Sequence, residues 1–174
     1  PMPDPTLRII PLGGLGEVGK NMTVFETDGE IIVVDAGLAF PRDEHLGVDL
    51  ILPDMSYLRD NAERVRAVVL THGHEDHVGA LPYLMREVRI PEVWATRLTL
   101  GMIQSKLDEH GLLGTAELKE AEPGERPRIG PFDVEFVTLA HSIPEPSGLA
   151  IRTPAGIVLH TGDWKLDTTP LVGS

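Results

Sequence analysis

The chain has 174 residues and no cysteine, which excludes disulfides, thiolate metal sites and cysteine nucleophiles, so any metal must be held by imidazole and carboxylate. Its 15 lysines and arginines stand against 27 acids, and the formal net charge of −12 repels polyanions over most of the surface. No apolar run reaches the ~18 residues of a membrane span and no basic-then-apolar leader opens the sequence, so a cytoplasmic domain without membrane contact is expected.

Pro1 before Met2 reads as a protease-site scar, residues 1–6 as a tag remnant and N-terminal extension, and residues 7–174 as part of one domain. Residues 7–12 form an apolar strand that runs into the glycine-rich turn 13–19. Residues 22–27 and 30–36 are β-rich and joined by Asp28-Gly29, the strongest two-residue hairpin signal. A long acidic loop over 40–53 is followed by a helix over 55–65, from the spacing of Met55, Leu58 and Ala62, and by a buried strand over 66–71. A helix is expected over 76–88, with Pro82 near its first turns or kinking it. A strand over 93–96, a helix over 98–110 closed by Gly111, and strands over 134–139, 148–153 and 156–160 complete the reading. Hairpins mixed with helices, without strict strand-helix alternation, predict an α/β fold of packed sheets with helices outside.

The chemistry concentrates in Thr71-His72-Gly73-His74-Glu75-Asp76-His77, directly after the strand over 66–71. His72 and His74, two apart on extended chain, point to one side, and Asp76 and His77 at the start of the next helix point back to the same spot. A lone histidine is usually a surface residue. Three histidines and an aspartate in six positions reverse those odds, because two further candidates, His141 and Asp163, also follow apolar strands. Neutral imidazole and carboxylate suit zinc or manganese. Asp35 is a candidate partner for the second ring N–H of a metal-bound imidazole, with a hairpin-end turn residue as the competing reading. His160, a single histidine in an apolar strand, is read as a core residue. Gly14, Gly16 and Gly19 spell the spacing of a dinucleotide-binding turn, but a hairpin follows where that motif needs a helix, so they are read as a turn shaping the rim of the cleft.

The order of His72, His74, Asp76 and His77, then His141, then Asp163, resembles the metallo-β-lactamase superfamily. Residues 12–21, Asp35-Ala36-Gly37, the stretch 40–54, residues 72–83 and Thr161-Gly162-Asp163-Trp164-Lys165 narrow the resemblance to the bacterial ribonuclease J family. The resemblance implies the N-terminal portion of an αββα sandwich, with a β-CASP domain and a distal segment beyond this sequence. It implies one divalent cation on His72, His74 and His141, a second on Asp76 and His77, and Asp163 between them, with Asp76 and His77 as the catalytic pair. It also implies a structural calcium site using the Gly47 carbonyl and the Asp49 carboxylate, whose oxygen ligands suit that ion. The implied activity is metal-dependent cleavage of RNA phosphodiesters, both endonucleolytic and 5′-to-3′ exonucleolytic. RNA is then the partner, with a homo-oligomer formed through regions outside this sequence, and the fragment alone is expected to be inactive. Two rivals remain at this point: a small-molecule hydrolase of the same fold, and a non-catalytic scaffold stabilised by metal.

Overall fold

The computed structural model describes residues 4–42 and 45–165; the tag reading for residues 1–3, Asp43 and Glu44 of the acidic loop, and residues 166–174 lie outside the described residues. Six strands make the first sheet, in chain order across it: β1 (Arg8–Gly13), β2 (Met22–Thr27), β3 (Glu30–Val34), β4 (Val65–Val69), β5 (Glu92–Ala95) and β6 (Glu117–Glu120). β1 to β3 pair antiparallel, and β3 to β6 pair parallel. The second sheet is antiparallel, in the order β10 (Gly156–His160), β9 (Ser147–Thr153), β8 (Phe132–Thr138) and β7 (Arg128–Ile129). Four helices are described: α1 (Ser56–Asp60), α2 (Glu75–Val78), α3 (Leu81–Glu87) and α4 (Arg97–Glu109).

Period-two alternation in the central strands divides the interior into two cores. Ile31 and Val33 of β3 and Val68 of β4 face the helices, where they pack with Leu58, Leu81, Leu84, Ile103 and Leu107. Their neighbours Ile32, Val34, Ala67 and Val69 face the second sheet, against Phe132, Val134, Phe136, Leu149 and Ile151. Because β3 and β4 are buried on both faces over most of their length, residues 31–34 and 67–70 read as unbroken apolar runs. The layers are therefore helices, sheet and sheet, as the α/β reading expects. Among the described residues no helix is long and apolar enough to cross a membrane.

The turns follow local chemistry. Asp28 and Gly29 both have positive φ (50° and 75°), the backbone that a two-residue turn needs to match the twist of its strands. α4 closes with Gly111 N–H on the Asp108 carbonyl (2.9 Å) and Leu112 N–H on the Leu107 carbonyl (2.8 Å), with Gly111 at φ 67°. Three expectations change. The helix over 76–88 is two helices, because Ala80 N–H leaves the helical pattern for the Ala36 carbonyl (2.8 Å), and Pro82 then falls in the first turn of α3 where no donor is missed. The helix over 55–65 ends at Asp60, where the Asn61 side chain takes the Tyr57 carbonyl (2.8 Å) and a single 3-10 turn leads into β4. Residues 117–120, for which the sequence predicts no strand, form β6, the edge strand of the first sheet, where charged side chains are tolerated.

Candidate metal centre

The histidine-rich segment begins where β4 ends, at the C-terminal edge of the parallel strands, and its backbone is fastened from outside. α2 is a single turn that could not persist alone. Its carbonyls find tertiary donors: Leu38 N–H on Glu75 (3.1 Å), Asn21 N–H on Asp76 (3.0 Å) and Ala36 N–H on His77 (2.7 Å). That close approach explains Gly37, since a Cβ there would stand 1.6 Å from the Asp76 carbonyl oxygen. The glycine-rich turn serves the same packing: a Cβ on Gly14 (φ 82°) would meet Asn21 Oδ1 at 2.5 Å, and one on Gly19 would meet the Ala39 Cβ at 2.7 Å. The turn thus lays Asn21 over the cluster, with its amide Nδ2 3.1 Å from the Asp76 carbonyl and 3.3 Å from His77 Nε2.

One buried carboxylate organises the imidazoles. Asp35, only 1% exposed and at φ 62°, accepts from Thr71 N–H and Thr71 Oγ1 (both 2.8 Å) and stands 2.7 Å from His77 Nδ1. With its hydroxyl proton committed to Asp35, Thr71 Oγ1 is left to accept from His72 Nδ1 at 3.0 Å. Asp35 therefore fixes the Nδ1–H form of both rings, one directly and one through Thr71, and turns both Nε2 atoms toward the cleft. Burial favours a neutral Asp35, but the hydrogen bond and charge of His77 hold its pKa below the ordinary carboxylate value. Burial pushes His72 down to about 4, helped by the neighbouring His77. Burial also works against charge on His77, yet Asp35, Asp76 and Asp163 together hold it up to about 9.

The candidate residues converge. The ring of His72 lies 4.8 Å from that of His74, 4.1 Å from His77 and 5.0 Å from His141, and His74 and His141 are 5.1 Å apart. His141 Nε2 is buried without a hydrogen-bond partner, and burial pushes its pKa down. An uncharged, unpaired ring nitrogen aimed at other ring nitrogens is the state a metal ligand requires. Asp163 Oδ2 stands between two of the rings, 3.3 Å from His77 Nε2 and 3.8 Å from His141 Nε2. Among the described residues the donor atoms of His72, His74 and His141 lie within 4.8 Å of one another, as do those of His72, His77 and Asp163. The residues present thus fit a divalent cation. Asp76 borders the second group, its Oδ2 3.6 Å from His77 Nε2, while His72 belongs to both. Beside the cluster a cavity of about 310 Å³ is lined by Asn21, Val34, Asp35, His77, Leu159 and Asp163.

Other candidates lie elsewhere or were missed. Gly47 and Asp49 sit on an exposed loop, outside both donor groups. His160 packs its ring edge against Phe25 (6.2 Å) and accepts the Gly162 N–H at Nδ1 (3.2 Å), a half-buried residue beside the site. Asn21 was not singled out as a site residue: its place depends on the tertiary path of the glycine turn, and the only local signal is its position right after that turn.

Comparison with known proteins bears on family and fold. Curated relatives include Ribonuclease J of Synechocystis sp., 49% identical over 96% of this chain, and Ribonuclease J of Thermus thermophilus, 48% identical over 98% of it. The chain spans only 26% and 31% of those relatives' lengths. Among solved structures, unliganded yeast PDE1 superposes with a TM-score of 0.69 at 15% identity, over 98% of this chain and 68% of that one, a likeness of fold. The family model described as the metallo-beta-lactamase superfamily matches residues 15–167, nearly all of the described chain, and to that superfamily the chain belongs.

Proposed function

We propose that this chain forms the metal-binding part of a ribonuclease that hydrolyses RNA phosphodiester bonds with two divalent cations, zinc or manganese. One observation carries the reading: two donor groups share His72, and Asp163 reaches toward both of them. In the proposal His72, His74 and His141 hold one cation, Asp76 and His77 the other, and Asp163 lies between. A pair of such ions supplies Lewis acidity and neutralises the charge that builds up in an in-line displacement at phosphorus. The chain's own residues do the rest. Asp35 and Thr71 keep the Nδ1 protons of His77 and His72 in place, so both Nε2 lone pairs face the cleft. Asn21 donates its amide N–H groups to the Asp76 carbonyl and carboxylate and so holds the Asp76 side chain beside His77.

The relatives named Ribonuclease J support RNA as substrate. A combination of endonucleolytic and 5′-to-3′ exonucleolytic cleavage, a calcium ion near Gly47 and Asp49, a homo-oligomer and a cytoplasmic setting extend the same proposal. With a net charge of −12, the chain needs bound cations or cationic surface beyond it to draw in a polyanion. The test is RNA turnover by the full-length protein before and after chelation, beside His74→Ala. Loss in both, with recovery of the wild type on adding zinc or manganese, is expected. Undiminished cleavage by His74→Ala, or hydrolysis of small esters with no action on RNA, would overturn the proposal.

A further inference from the structure

We propose that Glu145 is a positioning residue for His141: its carboxylate ties the loop carrying His141 to the first turn of α4 and so sets where His141 stands against His72 and His74. The proposal rests on the metal-binding reading of the site. His141 lies in the loop between β8 and β9, and its Nε2 makes no hydrogen bond, with only the Asp163 carboxylate at 3.8 Å facing it. The loop is closed at its base by Leu139 N–H on the Pro146 carbonyl (3.2 Å) and Ser147 N–H on the Thr71 carbonyl (2.9 Å). Between those points Glu145 reaches out of the second sheet's connection: its Oε2 accepts the Leu98 N–H at 3.0 Å, and its carbonyl faces Thr96 Oγ1 at 3.5 Å.

Two features indicate that this contact shapes the site as well as capping a helix. Glu145 holds φ 56°, a backbone that a long side chain rarely adopts, and such outliers persist only where surrounding structure enforces them. The partner also matters. Thr96, the residue before α4, makes no side-chain cap of its own, so the Leu98 N–H depends on Glu145, and a carboxylate at a helix start is also favoured by the helix dipole. α4 follows β5, and β5 pairs with β4, whose end bears His72. Glu145 is thus a strut between the sheet that carries His141 and the sheet that carries His72 and His74.

The experiment compares zinc affinity, by competition with a chromophoric chelator, with the melting temperature of the metal-free protein. Glu145→Gly keeps the positive-φ turn without strain and removes only the strut. It is expected to weaken the tightest zinc site about tenfold, the scale of losing a group that orients a ligand. Glu145→Gln retains the acceptor oxygen and is expected to bind zinc within about twofold of wild type. Made in a His141→Ala background, Glu145→Gly should cost nothing more, because the ring it positions is gone. Wild-type zinc affinity in Glu145→Gly with a lowered melting temperature, or the same loss with and without His141, would reduce Glu145 to a helix cap and overturn the proposal. Should Glu145→Gly not fold, Glu145→Asp is read the same way, since aspartate tolerates this backbone but is one methylene short of Leu98. A wild-type protein that takes up no divalent ion overturns the metal reading itself, and is told apart because His74→Ala then also changes nothing.

Discussion

At the scale of single residues the site is governed by Asp35, which satisfies Thr71 and His77 at once and reaches His72 through the Thr71 hydroxyl. Without a cation the charge arrangement puts a proton on His77, held up to about 9, and leaves His72, pushed down to about 4, neutral. A cation bound through His77 Nε2 has to displace that proton. Below pH 9 uptake of this ion should therefore release about one proton, and its apparent affinity should fall about tenfold for each pH unit toward neutrality. Calorimetry of zinc uptake in buffers of different ionisation enthalpy reads the proton count, and a count of zero at pH 7 would contradict the assignment of His77. Asp35→Asn preserves shape but removes the charge and one acceptor, so His77 loses the partner that fixes its tautomer and the largest of the three carboxylate influences that hold its proton. Zinc affinity should drop by about 10–100-fold while the pH slope flattens. An unchanged slope would mean that Asp35 does not set the proton on His77.

At the scale of elements, the short α2 depends on backbone donors from Asn21, Ala36 and Leu38, which reach it only because Gly37 lacks a side chain. Gly37→Ala forces a methyl into the Asp76 carbonyl and should cost about 1–3 kcal/mol in urea unfolding, with zinc binding weakened in proportion as α2 is displaced. A neutral result would show that the segment yields without moving the ligands. The same elements mark what the sequence reveals. The β2–β3 hairpin is legible because Asp28-Gly29 specifies its turn within two residues, and β3 and β4 because burial on both faces leaves the apolar runs 31–34 and 67–70. His72, His74, Asp76 and His77 are legible for a similar reason: their density is local. β6 is not, since Glu117, Lys119 and Glu120 gain strand structure only from pairing with β5. The break between α2 and α3 is set by the Ala36 carbonyl, 44 positions earlier in the sequence, and the place of Asn21 by a turn that packs against residues 38 and 39. Asp35 stands between these cases: its type and position at a strand end are visible, but its hold on Thr71 and His77 is tertiary.

At the scale of the whole molecule, two cores share one central sheet, and the candidate ligands are drawn from both sheets: His72, His74 and His77 follow β4, whereas His141 and Asp163 follow β8 and β10. A cation held by both sets therefore links the sheets at one end, and it can bind only when the two are packed together. Ligand binding to the folded state alone adds RT ln(1 + [L]/Kd), about 2.7 kcal/mol at a hundredfold excess over Kd. For a chain of this size each kcal/mol moves the melting temperature by roughly 2–4 °C, so saturating zinc should raise it by about 5–10 °C. His74→Ala removes a half-buried ligand outside both cores and should melt, metal-free, within about 2 °C of wild type. The same variant should lose most of the zinc-induced rise. Phe136→Ala acts on the other term: it empties part of the inter-sheet core and should cost about 3–5 kcal/mol without metal, and zinc should still raise what stability remains. Differential scanning calorimetry of the three proteins, with chelator and with zinc, separates the effects. If zinc stabilises His74→Ala as much as wild type, the ion sits elsewhere and the two sheets are not joined through this cluster.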